Sequence, residues 1–325
     1  MADTMADKAK IAILISGRGS NMAAFVYAAK SSDCPYDVVL VASNDPAAPG
    51  LQLAEAEGIA TFAHPHKGLT REAHDQIMHD AIVRSGAEYV VLAGYMRILS
   101  DGFVKKWSDR MLNIHPSLLP KYKGLDTYQR AIDAGDKVAG CSVHLVTPEL
   151  DDGPLLAQTE VAILPGDDAD TLASRTLIAE HQLYPATVAR YVTREADPEW
   201  ILNQVRQRAL DLAETHERES FGSPGWRVGS EKTGKYFAYF TQKLHGEAGV
   251  GLLVKTSGPD EQAALIDADP ELYYSPKFYG PSGWIAIRLN NGRTDWQHIE
   301  QWLYKSWCLV APKRLTKMIA IADQF

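Results

Sequence analysis

Lys10-Ile11-Ala12-Ile13-Leu14-Ile15-Ser16-Gly17-Arg18-Gly19-Ser20-Asn21-Met22 is a short apolar run that passes through a glycine-rich turn into an amphipathic stretch. An apolar run of that length, dominated by Ile and Leu, reads as a strand buried on both faces, and the amphipathic stretch after the turn reads as a helix. The alternation recurs. Strands are expected at residues 11–16, 36–43, 89–94 and 111–115, with helices at 20–30, 51–58 and 71–86 between them. Two further strands at 141–146 and 155–163 and a long helix at 170–194 complete the pattern. Strand and helix in turn define βαβ units. The expected fold is α/β, a mostly parallel twisted sheet with helices on both faces.

The pattern changes near Asp197-Pro198, which can end one helix and start another. A new amphipathic helix is expected at 199–217. Five of the seven tryptophans lie beyond residue 202, among strand-like runs at 236–241, 250–255 and 284–289. Ser223-Pro224-Gly225 and Gly280-Pro281 read as turns, and two helices at 295–310 and 312–322 end the chain. The chain thus divides into residues 1–197 and a smaller α+β domain at 198–325. No repeat or low-complexity tract is evident.

With 325 residues, 46% hydrophobic and 23% charged, the composition is that of a globular protein with room for two domains. No apolar run reaches the roughly 20 residues that span a bilayer. Residues 1–10 are polar, without the apolar centre of a signal peptide, and read as a disordered lead-in to the first strand. Cys34, Cys141 and Cys308 lack metal-ligand spacing and cannot all pair within the chain, which points to reduced thiols and a cytoplasmic location. The net charge of −8 is uneven: residues 1–202 hold 18 basic and 27 acidic residues, residues 203–325 hold 15 and 14. An acidic first part argues against a general nucleic-acid surface there.

The glycine turn at residues 16–21 can bring backbone N–H groups at a helix start against a phosphate. A dinucleotide loop needs a third small residue at position 22, where this chain has Met22. Asp45, after the second strand, can still pose as a ribose-binding acid, so a nicotinamide-dependent oxidoreductase is the alternative reading. A second cluster carries acyl-transfer chemistry. Asn113 and His115 are two apart on a strand and so point to one side, near a carboxyl end of the sheet. An amide donor and a protonated imidazole can hold the oxyanion of a tetrahedral intermediate. The polar turn Leu150-Asp151-Asp152-Gly153-Pro154 supplies a carboxylate, which beside His115 would favour the imidazolium form. His64, His66, His74 and His79 lack accompanying ligands at metal spacing and read as solvated histidines rather than a metal site.

Several motifs occur together in order across residues 10–195. They are the loop Ser16-Gly17-Arg18-Gly19-Ser20-Asn21, Gly94-Tyr95-Met96-Arg97-Ile98-Leu99, and Asn113-Ile114-His115-Pro116-Ser117-Leu118-Leu119-Pro120 with Tyr122 and Gly124. Ser142-Val143-His144, the turn at 150–154, and Glu180-His181 with Tyr184-Pro185 come after them. In this order they resemble the folate-dependent glycinamide ribonucleotide formyltransferase family. Relatives that formylate initiator methionyl-tRNA, or hydrolyse or oxidise formyl-tetrahydrofolate, share the Asn-x-His…Asp core; the glycine loop sets this chain apart from them.

The resemblance implies formyl transfer from 10-formyltetrahydrofolate, as co-substrate, to the amine of 5-phosphoribosyl-glycinamide in purine biosynthesis, without a metal. It places the ribotide phosphate on Gly19, Ser20 and Asn21, with Glu180 facing the glycinamide. It places the folate against Arg71 and Met96, Arg97, Ile98 and Leu99, with Asn113 reaching the formyl group. His115 would donate the proton, and Asp151, rather than its neighbour Asp152, would be its carboxylate. Asp126 and Tyr128 depart from the common family residues. Residues 218–316 resemble the MmcQ/YjbR-like family through Phe221-Gly222, Trp226-Arg227-Val228-Gly229, 235–239, 284–287 and Trp302-Leu303 with Trp307. Nucleic-acid binding through this domain, a partner site and a homodimer all stay open at this point.

Overall fold

The computed structural model describes residues 8–220, 222–230, 233–244, 247–289 and 294–322. Residues 1–7 of the expected lead-in, and Phe221, lie outside the described residues. The chain divides into two compact units, Met1–Val192 and Thr193–Phe325.

The first unit runs β1 (Ala9–Ile15), α1 (Ser20–Ala28), β2 (Tyr36–Ser43), α2 (Pro49–Ala56), β3 (Thr61–Ala63), α3 (Arg71–Arg84), β4 (Tyr89–Leu92), α4 (Asp101–Lys106), β5 (Met111–His115), α5 (Thr127–Asp133), β6 (Val138–Leu145), β7 (Leu155–Ala162) and α6 (Ala169–Val192). Ala9 and Lys10, expected in the lead-in, belong to β1, which pairs from Ala9 onward with β2.

The seven strands are ordered β3-β2-β1-β4-β5-β6-β7. β1 to β5 pair in parallel, while β6 and β7 run antiparallel to their neighbours. The apolar run of β1 is explained by the two layers on it. Ile11, Ile13 and Ile15 face a core shared with Met22, Phe25 and Tyr184, whereas Ala12 and Leu14 face one with Met78, Ile82, Phe103 and Trp107. Side chains alternate across a strand, so a sheet covered on both sides needs apolar residues at every position. The fully buried Tyr184 hydroxyl sits 3.1 and 2.8 Å from the carbonyl oxygens of Leu92 and Leu112, joining α6 to β4 and β5.

The second unit runs α7 (Pro198–Leu210), β8 (Thr215–Ser220), β9 (Ser223–Val228), β10 (Lys235–Leu244), β11 (Glu247–Lys255), α8 (Pro259–Ala268), β12 (Tyr273–Tyr274), β13 (Trp284–Arg288), α9 (Trp296–Val310) and α10 (Lys313–Ala322). Its six strands form an antiparallel sheet in the order β12-β13-β11-β10-β9-β8. Val250, Leu252, Val254, Ile285 and Ile287 alternate toward a core shared with Ile201, Val205, Trp302 and Trp307 of α7 and α9.

Two expectations are corrected here. The helix expected at 199–217 stops at Leu210, and Thr215–Ser220 is a strand. Ser223-Pro224-Gly225, expected as a turn, is the start of β9. A Cβ on Gly225 would meet the Tyr239 ring at 2.7 Å, so this glycine serves ring packing across the sheet.

Candidate functional site

Three stretches of the first unit meet where β1, β4 and β5 end. β1 runs into the glycine turn, where Gly19 precedes α1 with φ of 72°, a left-handed conformation that glycine adopts without strain. Met22 is fully buried beneath this turn. Asn21 turns inward and its amide donates to the Glu180 carboxylate on α6 at 2.7 Å. Burial pushes the Glu180 carboxyl up, and the Asn21 bond partly opposes this. The turn and Glu180, 159 residues apart in sequence, are therefore one structure.

Ser16, at the same strand end, joins the turn to the next stretch. Its hydroxyl donates to Asn44 Oδ1 at 2.6 Å and accepts the Met96 N–H at 2.8 Å. Met96 and Ile98 are 71% and 60% exposed, while Leu99 is buried. Two large apolar side chains presented side by side to solvent on a held loop form a surface that suits a flat, partly apolar ligand. Arg71 is exposed at the start of α3, whose next turn carries His74 close enough to Arg97 for the arginine charge to act on it. Asp45, the candidate ribose acid, accepts the Ala47 N–H at 2.9 Å and closes a local turn.

The third stretch brings Asn113, His115 and Asp151 together. The antiparallel register of β5 and β6 sets His144 opposite Asn113 and Ser142 opposite His115. The His144 ring donates from Nδ1 to the Leu145 carbonyl at 2.8 Å, and burial keeps it neutral by pushing its pKa down. Its Nε2 is then an acceptor and takes one Asn113 amide N–H at 3.1 Å. That fixes the Asn113 amide and leaves its second N–H for a ligand.

His115 donates from Nε2 to the Tyr122 carbonyl at 2.9 Å. Its Nδ1 faces Asp151 Oδ2 at 3.4 Å, and Asp151 Oδ1 lies 3.8 Å from His144 Nε2. Asp151 Oδ2 also accepts the Gly124 N–H at 2.9 Å. The two adjacent carboxylates differ sharply. The Asp151 side chain is 7% exposed, whereas that of Asp152 is 56% exposed and paired with Lys123. Asp151 reaches inward because its own φ is 51°, a left-handed value that Asp tolerates better than most residues.

The remaining sequence expectations fare differently. His74 is fully buried, donating from Nε2 to the His64 carbonyl at 3.0 Å, and His66 bonds Asn44. The reading of solvated histidines is corrected for His74: its side chain is wholly buried, beside Asp75, whose carboxylate holds the Ser100 N–H at the end of the loop at residues 95–100. Among the described residues, no group of three or more His, Cys, Asp or Glu is placed to hold a metal ion. No helix of the described residues is long and apolar enough to cross a membrane. Sequence reading gives no part to Ser16 beyond its place in the glycine loop, nor to the Tyr122 carbonyl or the Gly124 N–H, and it does not assign His144 its task. The alternation of Ser142 and His144 is a signal, but only the register shows which strand they face.

A mostly parallel sheet with this Asn-x-His strand end and inward carboxylate has the arrangement of an acyl-group transferase. Residues 9–188 match the family model described as formyl transferase, and the chain belongs to that family. Residues 210–309 match the YjbR family model. The chain is 44% identical over 180 residues to phosphoribosylglycinamide formyltransferase of Escherichia coli, covering 55% of this chain and 85% of that protein. It is 43% identical over 190 residues to the trifunctional purine biosynthetic protein adenosine-3 of Drosophila melanogaster, covering 58% of this chain but 14% of that protein. Among solved structures, phosphoribosylglycinamide formyltransferase from Brucella melitensis is 48% identical with a TM-score of 0.55, covering 57% of this chain and 95% of that one.

Proposed function

We propose that residues 1–197 transfer the formyl group of 10-formyltetrahydrofolate to the amine of 5-phosphoribosyl-glycinamide, a step of purine biosynthesis. The observation that carries this reading is the Asn113–His144 and His115–Asp151 arrangement beside a glycine turn tied to Glu180. Its support from relatives is their shared name over the same residues.

In this reading the ribotide phosphate lies on the N–H groups at Gly19, Ser20 and Asn21, and Glu180 faces the glycinamide. The folate lies on Met96 and Ile98, with Arg97, Leu99 and Arg71 at its margins. The neutral amine attacks the formyl carbon. The free N–H of Asn113 meets the developing oxyanion. His115, with Nε2 on the Tyr122 carbonyl and Nδ1 toward Asp151, shares in stabilising that oxyanion. A proton leaves the attacking nitrogen and another reaches the departing N10, with His115 and Asp151 as the relay. The folate supplies the formyl group and leaves as tetrahydrofolate. Three free cysteines agree with a cytoplasmic enzyme in this reading.

Purified protein is expected to form the formylated ribotide from these two substrates without added metal or nicotinamide, measured by product formation. Failure there, with nicotinamide-dependent redox turnover instead, overturns the reading. A fragment ending at Asp197 is expected to retain the activity, because every residue named above precedes it. A folded, soluble but inactive fragment would assign residues 198–325 a part in catalysis. For that second domain, mass against concentration tests a homodimer, and salt-dependent retention of DNA tests nucleic-acid binding.

A further inference from the structure

On and beside the loop that carries the exposed Met96 and Ile98, four polar atoms are buried without a hydrogen-bond partner: His74 Nδ1, Asp75 Oδ1, Tyr95 Oη and Arg97 Nε. Two of these residues lie on the first turns of α3 and two on the loop itself. They are neighbours, since Asp75 and Arg97 both act on the Tyr95 hydroxyl, and Arg97 and Asp75 both act on His74. Their chemistry is complementary. The His64 carbonyl can only accept, so the hydrogen of His74 sits on Nε2 and Nδ1 carries a lone pair. Burial, joined by the Arg97 charge, keeps that ring neutral. His74 Nδ1 and Asp75 Oδ1 are therefore two acceptors, 3.8 Å apart, and Tyr95 Oη–H and Arg97 Nε–H are two donors.

Buried acceptors and donors left unjoined are costly, and a small loop movement that joins them is favourable. The other oxygen of Asp75 already holds the loop's far end. Oδ2 accepts the Ser100 N–H at 2.6 Å, just where the Ser100 hydroxyl caps α4 through the Phe103 N–H. Ser16 holds the near end through Met96 N–H. The segment is thus anchored at both ends, with two unjoined donors in its middle and the Asp75 carboxylate near enough to act on the Tyr95 hydroxyl.

We infer that Asp75 and His74 form a latch for residues 95–100, receiving Arg97 and Tyr95 when folate lies on Met96 and Ile98. This rests on the proposed function for the folate, and makes Asp75 a positioning residue rather than a catalytic one. The latch converts cover from the ligand into a fixed loop, so it acts on folate affinity and leaves the ribotide site alone.

The test uses the full chain. Tetrahydrofolate is titrated calorimetrically into wild type, Asp75→Asn and His74→Gln, and KM for each substrate and kcat are measured for all three. Asn keeps an oxygen for the Ser100 N–H but removes the charge that receives Arg97; Gln at 74 keeps a donor for the His64 carbonyl. Both variants are expected to bind tetrahydrofolate about ten-fold more weakly and to raise KM for the formyl-folate by a similar factor. Ribotide KM and kcat are expected to stay within about three-fold. Wild-type binding that both folded variants leave untouched overturns the latch alone, as does an equal rise in both KM values. Wild type that binds no tetrahydrofolate overturns the proposed function and the latch with it. Should Asp75→Asn melt early, His74→Gln decides, because it leaves the Asp75–Ser100 bond in place.

Discussion

Asp151→Asn is expected to lower kcat by about 10² to 10⁴, the usual contribution of a positioned proton-transfer group, with KM for both substrates changed far less. Asparagine matches aspartate in size and can still accept the Gly124 N–H, so the turn should keep its shape. What is lost is the negative charge 3.4 Å from His115 Nδ1 and 3.8 Å from His144 Nε2. The reacting centre thereby loses its carboxylate charge at a position where that side chain is 7% exposed and screening by water is weak. Asp152→Asn is the control. Its side chain is exposed and its partner Lys123 is a surface cation, and such pairs contribute about 0–1 kcal/mol, so turnover should stay within about two-fold. Steady-state kinetics on the two variants side by side checks the assignment, and a crippled Asp152→Asn with a healthy Asp151→Asn would reverse it.

Gly153→Ala is expected to be as damaging by a different route. A Cβ at this position would lie 1.8 Å from the Leu145 carbonyl oxygen and 2.9 Å from its carbon, both backbone atoms of β6 that cannot step aside. The turn must instead lift off the strand, which also breaks the Leu145 N–H bond to the Pro154 carbonyl, 3.0 Å long. Overpacking of this kind costs typically about 1–3 kcal/mol, which for a domain of this size lowers Tm by roughly 2–12 °C. Because the same turn aims Asp151 at His115, turnover should fall together with stability. Thermal melting and kcat on one preparation test both halves. A variant that melts like wild type and retains full turnover would show that the close approach of Gly153 to β6 is unnecessary.

The α/β architecture is legible because its cause is local in sequence. β1 is apolar from Ile11 to Ile15 since both of its faces are covered there, and its passage into a glycine turn announces the next helix. Short elements escape such a reading, among them β3, α4 and α5, because three to seven residues give too little periodicity to separate from loop. The helix expected at 199–217 overshoots for a related reason. Thr215–Ser220 is polar on both sides of an edge strand, so nothing in its composition separates it from a charged helix end.

The candidate site divides in the same way. Sequence alone determined which residue types were present to bind an anion and stabilise an oxyanion, and that Asn113 and His115 share a side, because a strand alternates strictly. Tertiary structure decided the rest. It shows why Asp151, the carboxylate that the motif resemblance already favoured, faces His115 while Asp152 stays in solvent: the backbone at residue 151 is left-handed. It gave His144 the task of orienting Asn113, since cross-strand register is not encoded within either strand. It also took His74 out of solvent, placing it beside Asp75, whose carboxylate holds the end of the loop at residues 95–100. Each of these depends on a partner 25 to 36 residues away in the chain, and a local pattern carries no information about which distant backbone will meet it.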